Sequence, residues 1–437
     1  MSKNKYRPYP KYKPSGIDWL GDIPEWWELL KVKHLFKISE EASFEANPTI
    51  LSLTQHGIKK RDISNNEGQI ASSYSGYRKI SIGDVVLNIM DLLSGFVDRS
   101  QYNGVISPAY ATLKPTKKIE TKYFNYFFQK HYFEKIFFPF GQGVSVDHRW
   151  TLKDFTLLNF PIIKPTFEEQ EKIAKFLDNK LEKIDQIIEK NNHLVELLHE
   201  KRQAVITRAV TKGLDPRARL KPSGIDWLGD IPEDWEVKRL KYVSYPRVSN
   251  VDKKSEDDIK VMLCNYIDVY KNDFIDENID FMEATAKINQ IDNFELKHDD
   301  ILITKDSETP DDIGISAYVK LKDTVKIVCG YHLAIITPNK PSLIGRYLFR
   351  LFHSKLYRSQ FEISCNGVTR FGLNSYIIFN INVILPPLPE QKNIADYIDD
   401  KTAKIDEMTK KVELQNQKLQ EFRQALISSA VTGKIQV

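Results

Sequence analysis

Cysteine is scarce in this sequence: three residues in 437, Cys264, Cys329 and Cys365, no two of them near enough to form a CxxC pair. The odd count and wide spacing exclude a disulfide framework and a cysteine zinc site, and fit a reducing compartment. Long apolar runs are missing as well. No stretch approaches the ~20 residues that cross a bilayer as a helix. The opening residues MSKNKYRPYPKYKPSG are basic and aromatic, without the apolar core of a signal peptide. The expectation is a cytoplasmic protein with no membrane contact. Excess charge of one sign is also lacking, since the net charge is only +4. Any hold on nucleic acid must therefore come from local basic patches.

The motifs of catalysis are absent in turn. The nearest approach to an amino-methyltransferase loop, [DNS]PP[YFW], is Ser107-Pro108-Ala109-Tyr110, which lacks one proline. Phe140-Gly141-Gln142-Gly143 is two glycines in a loop, not the strand-to-helix turn of a nucleotide site. No GxxxxGK[ST] occurs, and His199-Glu200 is followed by Gln203 where a HExxH zinc site needs histidine. The acidic stretch Asp306–Asp312 has no acidic-x-Lys partner of a nuclease and reads as a solvated loop. The expectation is a chain with no catalytic residue, cofactor site or metal site of its own.

What is present is written twice. Residues 13–28, KPSGIDWLGDIPEWWE, return as 221–236, KPSGIDWLGDIPEDWE, with one difference, Trp26 against Asp234. Residues 169–213 return as 390–434 at a constant offset of 221, matching Glu169/Glu390, Gln170/Gln391, Asp178/Asp399, Asp185/Asp406, Arg202/Arg423 and Gln203/Gln424 without a gap. Between the repeats lie two dissimilar, domain-sized stretches, 29–164 and 237–385. The organisation is residues 1–164, a motif and a first domain; 165–213, a long helix; 214–385, the second motif and domain; and 386–437, a second long helix.

Each repeated part has a physical reading. Pro165 and Thr166 start the first long helix, Glu168 and Glu169 suit the positive end of its dipole, and Gly213 stops it. Apolar positions step by four and three through Leu177, Leu181, Ile184, Ile188, Val195, Leu198 and Ala209, a coiled-coil seam. Ile398, Ile405, Val412, Leu419, Leu426 and Ala430 form the second seam. The GIDWLGDIP motif is a short turn with an apolar face of Ile17, Trp19, Leu20 and Trp27. The unlike stretches read as α/β: strands at 83–90 and 110–115 before an aromatic helix at 122–137, then strands at 299–304, 317–321 and 332–338 before a helix at 344–361. Each stretch ends in a Gly-containing loop and an apolar strand.

A GxxWLGxIPxxW element opening each half, a Gly/Arg loop, a PPLPEQ turn and a long helix ending RQALISSAVTGKI resemble the specificity subunit of type I restriction-modification systems. The first half departs from the pattern, with PIIKPTFEEQ in place of VILPPLPEQ. With the element pattern and the repeats, the reading is a mixed α/β chain, two α/β target-recognition domains separated by a long two-helix coiled coil with pseudo-two-fold internal repetition. The helices are expected to pair antiparallel, because that places the two domains at opposite ends of the rod, as a split target requires. The resemblance further implies double-stranded DNA with a bipartite target as ligand, and two methyltransferase (modification) subunits and restriction/translocase subunits as partners. S-adenosylmethionine, ATP and Mg would sit on those partners. The other reading is a stand-alone DNA-binding regulator with a coiled-coil spacer.

Base edges and phosphates are read by Arg, Lys, Asn, Gln and Ser/Thr on exposed loops. Those residue types in the pre-strand loops point to Gln142, Ser145, His148 and Arg149 in the first half, and to Asn366, Thr369 and Arg370 in the second, with Phe371 for stacking. Arg78, Lys79, Arg99 and Lys305 follow as secondary positions. For the helix pair, Asn191 and Asn416 each interrupt a seam, and a buried amide is costly unless it meets another. Facing each other, they set a register that pairs Leu181 with Leu426 and Ala209 with Ile398. In that register Arg202 meets Ile405 and Arg423 meets Ile184, with the guanidinium groups snorkelling outward.

Overall fold

A computed structural model describes residues 6–45, 47–62, 74, 76–143, 150–252, 259–322 and 326–437. The chain divides into two compact units, Met1–Asn191 with Leu414–Val437, and Asn192–Glu413. Each long helix contributes one of its ends to the core of each unit.

The repeated motif is more than a turn. In the first unit its arms pair antiparallel, Tyr12–Pro14 against Asp22–Pro24, and the N–H groups of Leu20 and Gly21 both reach the Ile17 carbonyl, at 3.0 and 2.9 Å. In the second, Leu220–Pro222 pairs with Asp230–Pro232, and Leu228 and Gly229 donate to the Ile225 carbonyl at 3.0 and 3.2 Å. The flanking glycines take positive φ in both copies, 73° and 66° at Gly16 and Gly21, 75° and 63° at Gly224 and Gly229. That is the backbone region a side chain disfavours, which is why glycine stands there. The strand after each motif closes a loop in sequence. Glu28–Lys31 pairs with Pro161–Lys164, and Glu236–Arg239 with Asn382–Leu385. Entry to and exit from each variable domain are thus stitched side by side, just before the long helix begins.

The first variable domain carries a four-stranded sheet in the order Phe36–Ile38, Ala111–Pro115, Val85–Leu87, Val97–Arg99. The helix Thr121–Phe133 buries Tyr123, Phe124, Phe127 and Phe128 in the same core. It ends short of the expected 137, because the chain turns at Lys135, whose φ is 56°. The second domain has a five-stranded sheet, Ser244–Val248, Leu333–Pro338, Ile301–Thr304, Ser316–Val319, Phe274–Ile275, and a three-stranded one, Met282–Ala286, Ile259–Cys264, Ile327–Cys329. The single helix expected at 344–361 is two, Gly345–Phe352 and Lys355–Ser364. Ser354 divides them: its backbone is extended, and its side chain accepts from the Tyr357 N–H as an N-cap. The fold is mixed α/β, as the sequence pattern implies.

The long helices run Phe167–Lys212 and Leu388–Val431. In the first unit Leu177, Leu181 and Ile184 share a core with Leu426, Ile427 and Ala430. In the second, Ile206, Ala209 and Val210 share one with Ile394 and Ile398. Asn191 Nδ2 donates to Asn416 Oδ1 at 2.8 Å. The seam arginines do not snorkel to water. Arg423 Nε donates to Asp185 at 3.3 Å in the first unit. Arg202 Nε donates to Asp406 at 3.0 Å in the second, where Arg202 also lies 3.6 Å from Asp273. An aspartate beside each seam isoleucine captures the guanidinium at short range and holds it in place. The first unit also closes the two ends of the chain together: the Tyr12 hydroxyl donates to the Gly433 carbonyl at 3.0 Å, and the Gln436 N–H to the Arg7 carbonyl at 2.7 Å. Among the described residues no helix is long and apolar enough to cross a membrane.

Candidate nucleic-acid interface

In the second unit the Gly-containing loop is a small closed hairpin. Asn366 and Gly372 exchange backbone hydrogen bonds at 3.1 and 2.9 Å, and Phe371–Gly372 pairs with Asp306–Ser307. The Leu373 N–H adds a bond to the Lys305 carbonyl at 2.7 Å. Gly367 takes φ of 149°, and a Cβ there would lie 1.9 Å from the Arg370 carbonyl oxygen, so only glycine fits the bend. The hairpin holds Val368, Thr369 and Arg370 out toward solvent.

Arg370 does not hang free. Its Nη2 donates to Asp306 Oδ1 at 3.0 Å and lies 2.9 and 3.2 Å from Nδ1 and Nε2 of His332. Asp306 is also bonded to His332 Nδ1 and to the ammonium of Lys305, which lies 4.6 Å over the Tyr331 ring. Burial pushes the Asp306 carboxyl up, but the Lys305 bond and charge, then His332, more than offset it and hold the group below the usual carboxylate range. Within the stretch 306–312, Glu308 and Asp311 are exposed, as composition implies, but Asp306 is not solvated. Asp306 is largely buried between cations, and Asp312 accepts from the Thr309 hydroxyl at 2.9 Å. Lys305, a secondary DNA-reading position from sequence, is largely buried and ion-paired with Asp306.

In the first unit the corresponding loop is clamped at its base in the same way. Gln142 and Thr151 exchange backbone bonds at 2.9 and 3.0 Å, and the Trp150 indole donates to the Phe138 carbonyl at 2.7 Å. Gln142 is exposed; Ser145, His148 and Arg149 lie outside the described residues. The secondary positions are structurally engaged. Arg78 Nη1 donates to the Tyr110 carbonyl at 2.8 Å, and Lys79 lies 3.6 Å from Glu41. Arg99 Nε donates to Thr121 Oγ1 at 2.8 Å, on the wall of an ~810 Å³ cavity that also meets Lys122, Asn125, Gln129 and Arg423. In the second half Asn366, Thr369, Arg370 and Phe371 come together on one loop; Arg78, Lys79 and Arg99 gather on no comparable one.

The repeated residues anchor the domains, a role sequence matching alone does not assign. Glu169 accepts from the indoles of Trp26 and Trp27 at 3.1 and 3.3 Å, and Glu390 from that of Trp235 at 2.9 Å. Gln170 and Gln391 are fully buried. Their amide oxygens accept from the Glu120 and Ile344 N–H groups, each 2.9 Å away, at the start of the domain helix. Asp178 then binds Lys122 and Tyr126, and Asp399 binds Arg346 and Arg350. Among the described residues no group of three or more His, Cys, Asp or Glu side chains is arranged to hold a metal ion.

Residues 232–416 match the family described as the type I restriction modification DNA specificity domain. The chain is 25% identical to the putative type I restriction enzyme MjaX specificity subunit of Methanocaldococcus jannaschii, over 96% of each. The type I restriction enzyme MjaVIII specificity subunit of the same organism is 24% identical over 83% of each. Among solved structures, the HsdS subunit of Thermoanaerobacter tengcongensis shares the fold with a TM-score of 0.54 at 14% identity, covering 94% of this chain and 98% of that one.

Proposed function

We propose a division of labour for this chain, which belongs to the DNA specificity subunits of type I restriction-modification systems: it reads and spaces, and its partners carry out the chemistry. Each recognition domain reads one half of a bipartite target in double-stranded DNA. The two long helices form an antiparallel coiled coil that sets the spacer and docks two methyltransferase subunits, giving the chain pseudo-two-fold internal repetition. S-adenosylmethionine binds the modification subunits, ATP and Mg bind the restriction/translocase subunits, and the complex works in the cytoplasm. The chain itself is not catalytic.

One observation carries this reading. The same anchors are built twice around unlike domains: Glu169 to Trp27 and Glu390 to Trp235, Gln170 to Glu120 and Gln391 to Ile344. A frame repeated around dissimilar inserts does one mechanical task for two different ligand sequences. Incubated alone with plasmid DNA and labelled S-adenosylmethionine, the purified chain is expected to transfer no methyl group. Adding the modification subunit is expected to produce methylation at a single split sequence. Methyl transfer by the chain alone, or the same sequence choice by the modification subunit without it, would overturn the division.

A further inference from the structure

We infer that Asp306 and His332 are positioning residues that aim Arg370 at DNA, an inference that rests on the second domain being a DNA reader. A guanidinium recognises a base edge through directional N–H donors, and so must be presented at a fixed angle. An arginine on an exposed loop ordinarily samples many rotamers and loses that freedom on binding. Here the loop is closed by the Asn366–Gly372 pair, and the tip of the side chain is tied down by Nη2 alone, to Asp306 Oδ1 at 3.0 Å. That leaves the two Nη1 donors and the Nε–H outside the tether, on a side chain 57% exposed.

His332 completes the tether. Its Nδ1 is bonded to Asp306, and Arg370 Nη2 lies 2.9 and 3.2 Å from its two ring nitrogens, so the imidazole packs against both groups it aligns. Asp306 does not cancel the charge offered to DNA, because Lys305 already balances it from the buried side. One carboxylate between two cations leaves a net positive, rigid arginine at the surface. Lys305, stacked over Tyr331, is the counter-charge that makes the tether affordable to the DNA-facing side.

The test uses the full chain with modification subunits and a pool of duplexes of randomised sequence, sequencing what is bound. The wild type is expected to enrich a split motif. Arg370→Ala should lose about tenfold or more discrimination at one or two positions of a single half. Asp306→Asn should lose discrimination at the same positions and leave the other half untouched, and Asp306→Asn with Arg370→Ala should look like Arg370→Ala alone. His332→Gln, which leaves the Asp306–Arg370 bond in place, should give a smaller loss at the same positions. An Asp306→Asn motif identical to wild type, or a loss that adds to that of Arg370→Ala, overturns the inference while the DNA reading stands. A wild-type chain that enriches no sequence overturns the DNA reading and the inference with it.

Discussion

Replacing Trp235 with alanine is expected to destabilise the second unit by about 3–5 kcal/mol, the range for deleting a fully buried aromatic side chain. The indole has no exposure, and its core neighbours include Ile206, Ala209 and Val210 of the first long helix, Leu228 and Ile231 of the motif and Leu240. Its N–H donates to Glu390 at 2.9 Å, and a Cβ placed on Gly213 would sit 3.2 Å from the ring. It is the point where the end of one long helix, the start of the other and the motif meet, so no single neighbour can collapse into the space. Trp235→Phe should cost less, since most of the volume stays and chiefly the Glu390 bond is lost. Limited proteolysis in a denaturant series, followed on fragments of the second unit, reads both. Equal resistance in wild type and Trp235→Ala would show that the indole is not the keystone.

Acid is expected to unfold the first unit through His131. The ring is buried among Trp19, Phe127, Phe137 and Phe160, and its Nδ1 lies 2.6 Å from the Phe127 carbonyl, so that nitrogen carries the proton and donates. Nε2 is buried without a partner. Burial pushes the pKa down from 6.5 to about 3, against the smaller raising effect of the Phe127 bond. The unfolded chain, with a histidine near 6.5, therefore binds the extra proton first as the pH falls. The stability from keeping His131 neutral is whole above about pH 6.5 and drains at about 1.4 kcal/mol per pH unit toward pH 3. At pH 4 the loss is on the order of 3 kcal/mol. His131→Phe keeps a flat ring of similar size and removes the proton site, so its stability should fall less between pH 7 and pH 4. Parallel losses in the two proteins would contradict the assignment.

The frame of the molecule was legible because identical residues announce identical contacts: KPSGIDWLGDIP folds into the same paired turn in both places. The amide pairing of Asn191 with Asn416 followed from the cost of burying either alone. What could not be read were contacts whose partner lies far along the chain. Asp306 looked solvated because nothing near it in sequence reveals the pairing with Phe371–Gly372 that buries it. The repeat match of Asp185 with Asp406 does not reveal that these aspartates hold Arg423 and Arg202. Likewise, Glu169 and Gln170 match Glu390 and Gln391 in sequence, yet only coordinates reveal the indole and backbone groups they hold. Ser354 divides a helix that its flanking apolar pattern would have continued, since capping depends on backbone geometry more than on periodicity.

The central claim is that two independent readers sit in one repeated frame. Exchanging residues 237–385 for the recognition domain of another specificity subunit tests it most directly, because the Glu236–Arg239 and Asn382–Leu385 strands bring the ends of that segment side by side. The chimera is assembled with modification subunits in cells, and the methylated sequences are read genome-wide. The account predicts that one half of the split target changes to that of the donor while the other half stays as it was. A chimera that methylates efficiently but changes both halves, or neither, would contradict it.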